Sequence, residues 1–95
     1  MERKIKVIIV DDNNEFVNGI KLILEKQNHI EITGTASNGF ELLKHPELGH
    51  ANIILLDIEM PGLNGFDVAK EINWSYPHIK LIATTMYQEK VYLEK

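Results

Sequence analysis

The sequence predicts an α/β fold in which helices cover both faces of one doubly wound, parallel sheet, giving three layers. Apolar, β-branched segments alternate along the chain with segments whose apolar residues recur at helical spacing. The apolar segments are nearly continuous, which is typical of strands buried on both faces. Because strands and helices alternate strictly, we expect parallel strands joined by right-handed crossovers. Ninety-five residues suffice for one small domain.

The first half of the chain contains two predicted strands, each followed by a helix. Ile5 to Val10 is apolar apart from Lys6 and forms the first strand. Asp12 and Glu15 then have the spacing of a capping box at the start of a helix. "HIEITGTAS" is predicted as the second strand, and "NGFELLKHP" as a short helix that ends before Pro46. Core positions in the first helix are its spaced apolar residues Phe16, Ile20, Ile23 and Leu24.

The second half repeats this order. "NIILL" is the third strand, and "IKLIATT" is the fourth. Between them lies a helix that ends at "SYP" and whose core positions are Phe66, Ala69 and Ile72. We expect Trp74 and Tyr76 to pack at the end of this helix. "MYQEKVYLEK" opens a fourth helix.

Composition excludes several classes of function. The net charge of −4 argues against non-specific binding to nucleic acids, which needs a basic face. Since the chain has no cysteine, a disulfide framework and a thiolate zinc site are both excluded. The histidines show no metal-binding spacing. We find neither a signal peptide nor an apolar run of the ~18 residues that a membrane span needs, and we expect a cytoplasmic protein.

Three acidic residues follow the first and third predicted strands. Asp11 and Asp12 come directly after the first strand, and Asp57 comes directly after the third. In open α/β sheets, ligands bind beyond the carboxyl ends of the strands. If these strands are neighbours, the carboxylates converge, and each like-charge pair at ~4 Å costs roughly 4 kcal/mol at an effective dielectric constant of about 20. A hard cation such as Mg²⁺ relieves this repulsion and also binds phosphate oxygens.

Two simpler interpretations account for single residues of this set. Asp12 could serve only as a helix N-cap, and Asp57 could serve only as a turn-forming residue ahead of Pro61 and Gly62. Neither interpretation explains acids at the ends of two separate buried strands, where desolvating a charge is costly.

Three motifs carry a resemblance that covers the whole chain. "VIIVDDNNEF", "IILLDIEMPGLNGFD" and "LIATTMY", in this order and spacing, resemble the receiver domain of bacterial two-component response regulators. The resemblance implies a flavodoxin-like sheet with strand order 2-1-3-4. "TASNGFELL" and "TMY" are similar to receivers coupled to helix-turn-helix DNA-binding domains, which implies a transcriptional output.

The resemblance also implies a function for the acidic residues. Asp57 is the expected phosphoryl acceptor, a nucleophile that forms an aspartyl phosphate. Mg²⁺ is expected to bind Asp57 and Asp12 directly, Asp11 mainly through water, and the backbone carbonyl of Glu59. The expected phosphodonors are a sensor histidine kinase or a small molecule such as acetyl phosphate.

The same resemblance assigns residues around the phosphoryl group. Thr85 is expected to bind that group and to move with it. Thr84 has the same chemistry, but successive strand residues face opposite ways, and the following Met86 and Tyr87 favour Thr85. The side chains of Glu59 and Tyr87 are expected to flank the site, unless they are ordinary surface residues.

The sequence departs from the receiver pattern at its carboxyl end. A receiver has five strand–helix units. We expect residues 1–95 to be a receiver domain that lacks the fifth unit and therefore also lacks the phosphate-binding lysine that this unit carries. Strand four would then be an open edge, able to pair with a second copy in an edge-paired or swapped homodimer. Two further hypotheses remain: a Mg²⁺-dependent aspartyl-phosphate phosphatase or phosphotransferase, with Glu59 as its second acid, and a degenerate receiver that acts only as an interaction module.

Overall fold

The computed structural model describes residues 3–57 and 65–84. Strands and helices alternate along them, as the sequence predicts, and none of the helices in these two ranges is long and apolar enough to cross a membrane. The fourth helix predicted in "MYQEKVYLEK" lies outside the described residues. In chain order, the elements are β1 (Ile5–Val10), α1 (Asn14–Glu25), β2 (Ile30–Ala36), α2 (Gly39–Leu43), a 3₁₀ turn (Leu48–His50), β3 (Ile53–Asp57), α3 (Gly65–Ser75) and β4 (Lys80–Thr84).

The four strands form one parallel sheet in the order β2-β1-β3-β4, which confirms the predicted strand order. Strand β1 lies in the interior of this sheet, with Val10 opposite Leu56 of β3. The residues that follow these two, Asp11 and Asp57, therefore lie side by side at the carboxyl edge of the sheet. Strand β4 is at one end of the sheet formed by the described residues. Pairing of this edge with a second copy stays a prediction.

Alternate residues of the strands build two apolar layers, so helices cover both faces as predicted. The layer under α1 contains Val7, Ile9 and Val17, with Ile20 and Leu24 packed against it. The opposite layer lies under α2 and α3 and is the larger one. Its fully buried side chains include Ile8, Leu42, Ile54, Leu56, Val68 and Ile72.

Three apolar residues predicted to be packed are exposed instead. Ile23 is 60% exposed, Phe66 50% and Trp74 86%. The inner face of α3 is formed by Val68, Ala69 and Ile72, and Trp74 lies about 200° around the helix from Ile72. Periodicity identifies the buried stripe but does not fix its edges, which explains the errors at Ile23 and Phe66. Tyr76 packs against the larger apolar layer, as predicted.

The capping box predicted from Asp12 and Glu15 is wrong, because Asn13 caps α1. The Asn13 side chain accepts a hydrogen bond from the Phe16 N–H at 3.1 Å. Both Asp and Asn are good caps, and the choice depends on where the chain turns into the helix. Asp12 is thereby left outside the cap, and its side chain is exposed.

A glycine in β2 makes room for a histidine ring. Gly34 pairs with Ile8 one residue past a shift in the β1–β2 register. A Cβ atom at Gly34 would collide with the imidazole ring of His45, whose Nδ1 accepts a hydrogen bond from the Glu47 N–H at 3.1 Å. The histidine thus lies directly on the strand backbone.

Candidate metal centre

Three carboxylates converge at the carboxyl edge of the sheet. One carboxylate oxygen from each of Asp11, Asp12 and Asp57 lies within 4.8 Å of the others. Asp57 was predicted to follow the third strand directly, but it is the last residue of β3 itself. Because β1 and β3 are hydrogen-bonded neighbours, the convergence predicted from the strand ends is confirmed.

The three acids differ sharply in exposure. Asp11 is 2% exposed and Asp57 is 1% exposed, whereas Asp12 is exposed. Charged side chains are seldom fully buried without a compensating group. Two buried acids beside a third therefore form a strongly electronegative site that opens to solvent on the side of Asp12.

The pKa of Asp11 is shifted by its burial and by the neighbouring charges. Burial raises the pKa of the Asp11 carboxyl above its ordinary value, and the charges of Asp57 and Asp12 raise it further. A hydrogen bond from the Asn13 N–H to Asp11 Oδ1, at 2.9 Å, acts in the opposite direction and lowers the pKa. The net shift is upward, so the folded chain makes it harder for Asp11 to be ionised.

The donor set has the chemistry of a hard-cation site. Carboxylate oxygens are the side-chain ligands that Mg²⁺ and Ca²⁺ prefer, and a divalent cation here would offset the repulsion among the three charges. Mg²⁺ usually keeps several waters and needs only one or two carboxylates. Three acids with one open side therefore fit a cation that still has positions for an incoming ligand.

Three further site residues were predicted from the sequence. Glu59, Thr85 and Tyr87 lie outside the described residues. Thr84 is half-buried and is the register partner of Asp57 in the β3–β4 pair. The roles of Glu59, Thr85 and Tyr87 stay predictions.

Asn13 shapes the site but was not among the residues predicted from the sequence. Asn13 supplies the backbone N–H that binds Asp11, and its side chain caps α1. The signal for the cap was present in "DDNNEF", where an asparagine stands three residues before Phe16. The neighbouring Asp12 is an equally good capping residue, so the sequence alone did not distinguish the two.

Comparison with known proteins decides the family. The family model of the response regulator receiver domain matches residues 7–95. The chain belongs to this family. The resemblance carried by the three sequence motifs is confirmed, and the four-stranded sheet described above is a receiver sheet.

Three relatives show how far the likeness extends. The response regulator GacA of Pseudomonas protegens is 35% identical over 86 residues, which cover 90% of this chain and 40% of GacA. A protein-glutamate methylesterase/protein-glutamine glutaminase of Clostridium acetobutylicum is 38% identical over 87 residues, 92% of this chain and 25% of that protein. The structure of the RcsB response regulator of Salmonella typhimurium, studied for DNA interaction, superposes with a TM-score of 0.81 at 26% identity.

The shared region is one part of longer proteins. The RcsB match covers 88% of this chain and 44% of RcsB. The chain thus spans about two-fifths of the length of GacA and a quarter of the methylesterase. The likeness is therefore a likeness between receiver domains, and it does not extend to the other parts of these proteins.

Proposed function

We propose that this chain is a phosphoacceptor switch, in which Asp57 is phosphorylated with the help of Mg²⁺ and the phosphorylated receiver controls an output. The observation that carries the proposal is the convergence of Asp11, Asp12 and Asp57 within 4.8 Å at the end of two buried strands. Membership of the receiver family supports it independently. The chain's own chemistry is then limited to its phosphorylation and dephosphorylation.

Asp57 is the nucleophile in this proposal. One of its carboxylate oxygens attacks the phosphorus atom of the donor, and the bond from phosphorus to the donor's leaving group breaks with its electron pair. The rigid end of β3 holds this carboxylate in place. Bound Mg²⁺ would neutralise charge on the phosphoryl oxygens, and Asp11 and Asp12 would hold the ion beside Asp57.

Further residues complete the proposed site. The backbone carbonyl of Glu59 would be an additional Mg²⁺ ligand, and the Thr85 hydroxyl would donate a hydrogen bond to the phosphoryl group. The side chains of Glu59 and Tyr87 would flank the group and influence the attack of water on it. The family resemblance supports these four assignments.

Partners and output follow from the same family. The proposed phosphodonor is a sensor histidine kinase or a small cytoplasmic phosphodonor such as acetyl phosphate, which would place the switch in the cytoplasm. Residues 1–95 would form a receiver domain that acts on an output outside this segment. The likeness to RcsB, whose structure was studied for DNA interaction, supports a transcriptional output.

Phosphorylation can be tested by mass spectrometry. We expect acetyl phosphate with MgCl₂ to add one phosphoryl group to the wild-type chain, and none to Asp57→Asn. The matched control is Asp67→Asn, which removes an exposed acid on α3 and should be phosphorylated like the wild type. Wild-type protein that stays unmodified in acetyl phosphate and in beryllium fluoride would overturn the switch and favour the degenerate receiver. Continuous release of phosphate from many phosphoesters would favour the phosphatase instead.

A further inference from the structure

A polar cavity lies at the opposite edge of the sheet from the three acids. Its volume is about 320 Å³, and its lining residues are Arg3, Lys4, Lys6, His50 and Asn52. Lys6 and Asp11 are five residues apart on an extended strand, so the cavity lies about 16 Å from the acidic cluster. The proposed switch uses none of the cavity's residues.

The lining of this cavity is positively charged, although the chain as a whole is negatively charged. Arg3, Lys4 and Lys6 place three positive charges on one concave surface of a protein whose net charge is −4. A concave site lined by one sign of charge concentrates the field and raises the local concentration of small counter-ions. Glu31 is the register partner of Lys6 on β2 and is the nearest acid in the strand pairing.

Hydrogen bonds fix the shape of the cavity floor. The Lys6 N–H donates to Asn52 Oδ1 at 2.8 Å, and the Asn52 N–H donates to the Lys6 carbonyl at 2.9 Å. The Asn52 carbonyl in turn accepts from the Lys80 N–H at 2.9 Å. Because a backbone N–H requires an acceptor, the first bond identifies the oxygen end of the Asn52 amide. The atoms that this amide can offer to a ligand are therefore the two donors of Nδ2.

We propose that this cavity binds the oligophosphate group of a small molecule. The three charged side chains are donors without acceptor atoms, and the Asn52 amide adds two more donors, so the ligand must supply several anionic oxygens. The cavity, with a volume of about 320 Å³, is large enough for two or three linked phosphoryl groups.

A small anion fits these observations better than a nucleic acid. A nucleic-acid surface normally needs a basic face or stripe on a basic domain. Here the basic residues line a single cavity, and the net negative charge of the chain opposes the approach of a long polyanion.

The test is a titration with pyrophosphate and tripolyphosphate, followed by ¹H–¹⁵N NMR. EDTA and the absence of Mg²⁺ keep the acidic cluster out of the measurement, so the outcome is independent of the phosphorylation proposal. We expect saturable shifts at the amides of residues 3–6 and 50–52 and at the Asn52 side-chain amide. Orthophosphate should bind more weakly, and added salt should weaken both interactions.

Four substitutions locate the site. Lys6→Ala should weaken tripolyphosphate binding about five-fold, the worth of one contact between unit charges in water. Asn52→Asp keeps the acceptor for the Lys6 N–H but replaces the Nδ2 donors with a negative oxygen, and should abolish binding. Glu31→Gln removes the opposing acid and should strengthen it. Lys21→Ala, on α1, removes a positive charge away from the cavity and should leave affinity unchanged.

Three results would overturn the proposal. One is the absence of residue-specific shifts at about 10 mM tripolyphosphate, a concentration that would nearly saturate a site with a Kd of about 1 mM. Another is equal weakening by Lys6→Ala and Lys21→Ala, which would indicate attraction by the overall charge. The third is binding of duplex DNA through residues 3–6 without binding of tripolyphosphate. Circular dichroism identifies a variant that fails to fold. Glu31 is exposed, so Glu31→Gln should fold, and a failure of this variant to strengthen tripolyphosphate binding would also count against the proposal.

Discussion

The backbone N–H of Asn13 donates a hydrogen bond to Asp11 Oδ1 at 2.9 Å, and the side chain of the same asparagine caps helix α1. One residue therefore orients a buried acid and begins the helix that covers one face of the sheet. The two roles use different atoms, since the backbone serves the acid and the side chain serves the helix. They can be separated by substitution.

Asn13→Ala should destabilise the fold without changing the metal site. Alanine keeps the N–H that binds Asp11 but removes the acceptor for the Phe16 N–H, which should lower the free energy of unfolding by about 1 kcal/mol in urea denaturation. Asn14→Ala, at the exposed first residue of α1, is the control and should not lower it. An equal loss in both variants, or a loss of Mg²⁺ binding in Asn13→Ala, would contradict this assignment.

Asp11 should make the metal-free protein less stable as the pH rises. Its pKa is raised in the folded state above the ordinary value of 3.8, chiefly by burial. The folded state then binds more protons than the unfolded state, so stability falls with pH from about 3.8 up to the raised pKa. In EDTA, Asp11→Asn should gain stability over the wild type as the pH rises through this window, measured by urea denaturation at each pH. A less stable Asp11→Asn at neutral pH would refute the prediction.

Magnesium should stabilise the folded chain through the acidic cluster. A ligand at 100 times its Kd adds about 2.7 kcal/mol to the free energy of unfolding, and the melting temperature in MgCl₂ should exceed that in EDTA. Asp12→Asn should lose most of this gain, whereas the exposed control Asp67→Asn should keep it. If Mg²⁺ shifts the melting temperature of Asp12→Asn as much as that of the wild type, the ion binds elsewhere.

Gly34 and Gly19 should respond oppositely to alanine. A methyl group at Gly34 would collide with the His45 ring, and we expect a loss of about 1–3 kcal/mol in the free energy of unfolding. At Gly19, in α1, no atom beyond its chain neighbours and the adjacent helix backbone lies within 4 Å of the added carbon, and alanine should stabilise the helix by about 0.5–1 kcal/mol. The double variant Gly34→Ala/His45→Ala should recover part of the loss, and additive losses would exclude a clash with the ring.

Much of the fold and of the acidic site could be predicted from the sequence. The bounds of β1 were predicted correctly because a run of valine and isoleucine buried on both faces has few alternatives. The meeting of Asp11 with Asp57 followed from a general property of parallel sheets, whose strand ends share one edge. These features depend on local pattern and on topology alone.

Other features depended on geometry that a single sequence does not encode. The choice of Asn13 over Asp12 as the cap rests on the path of the chain after β1. The basic cavity requires the register that brings Lys6 to Asn52, residues 46 positions apart. Exposure of Trp74 depends on how far the apolar stripe of α3 extends around the helix.

The interior position of β1 has a consequence for the lifetime of the acidic cluster. Val7 to Val10 are buried and hydrogen-bonded to strands on both sides. Amide protons in such a strand exchange with solvent only when the whole domain opens, unlike those in fraying ends. Asp11 directly continues this segment, so we expect it to stay in the cluster during local fluctuations and to leave it on global unfolding.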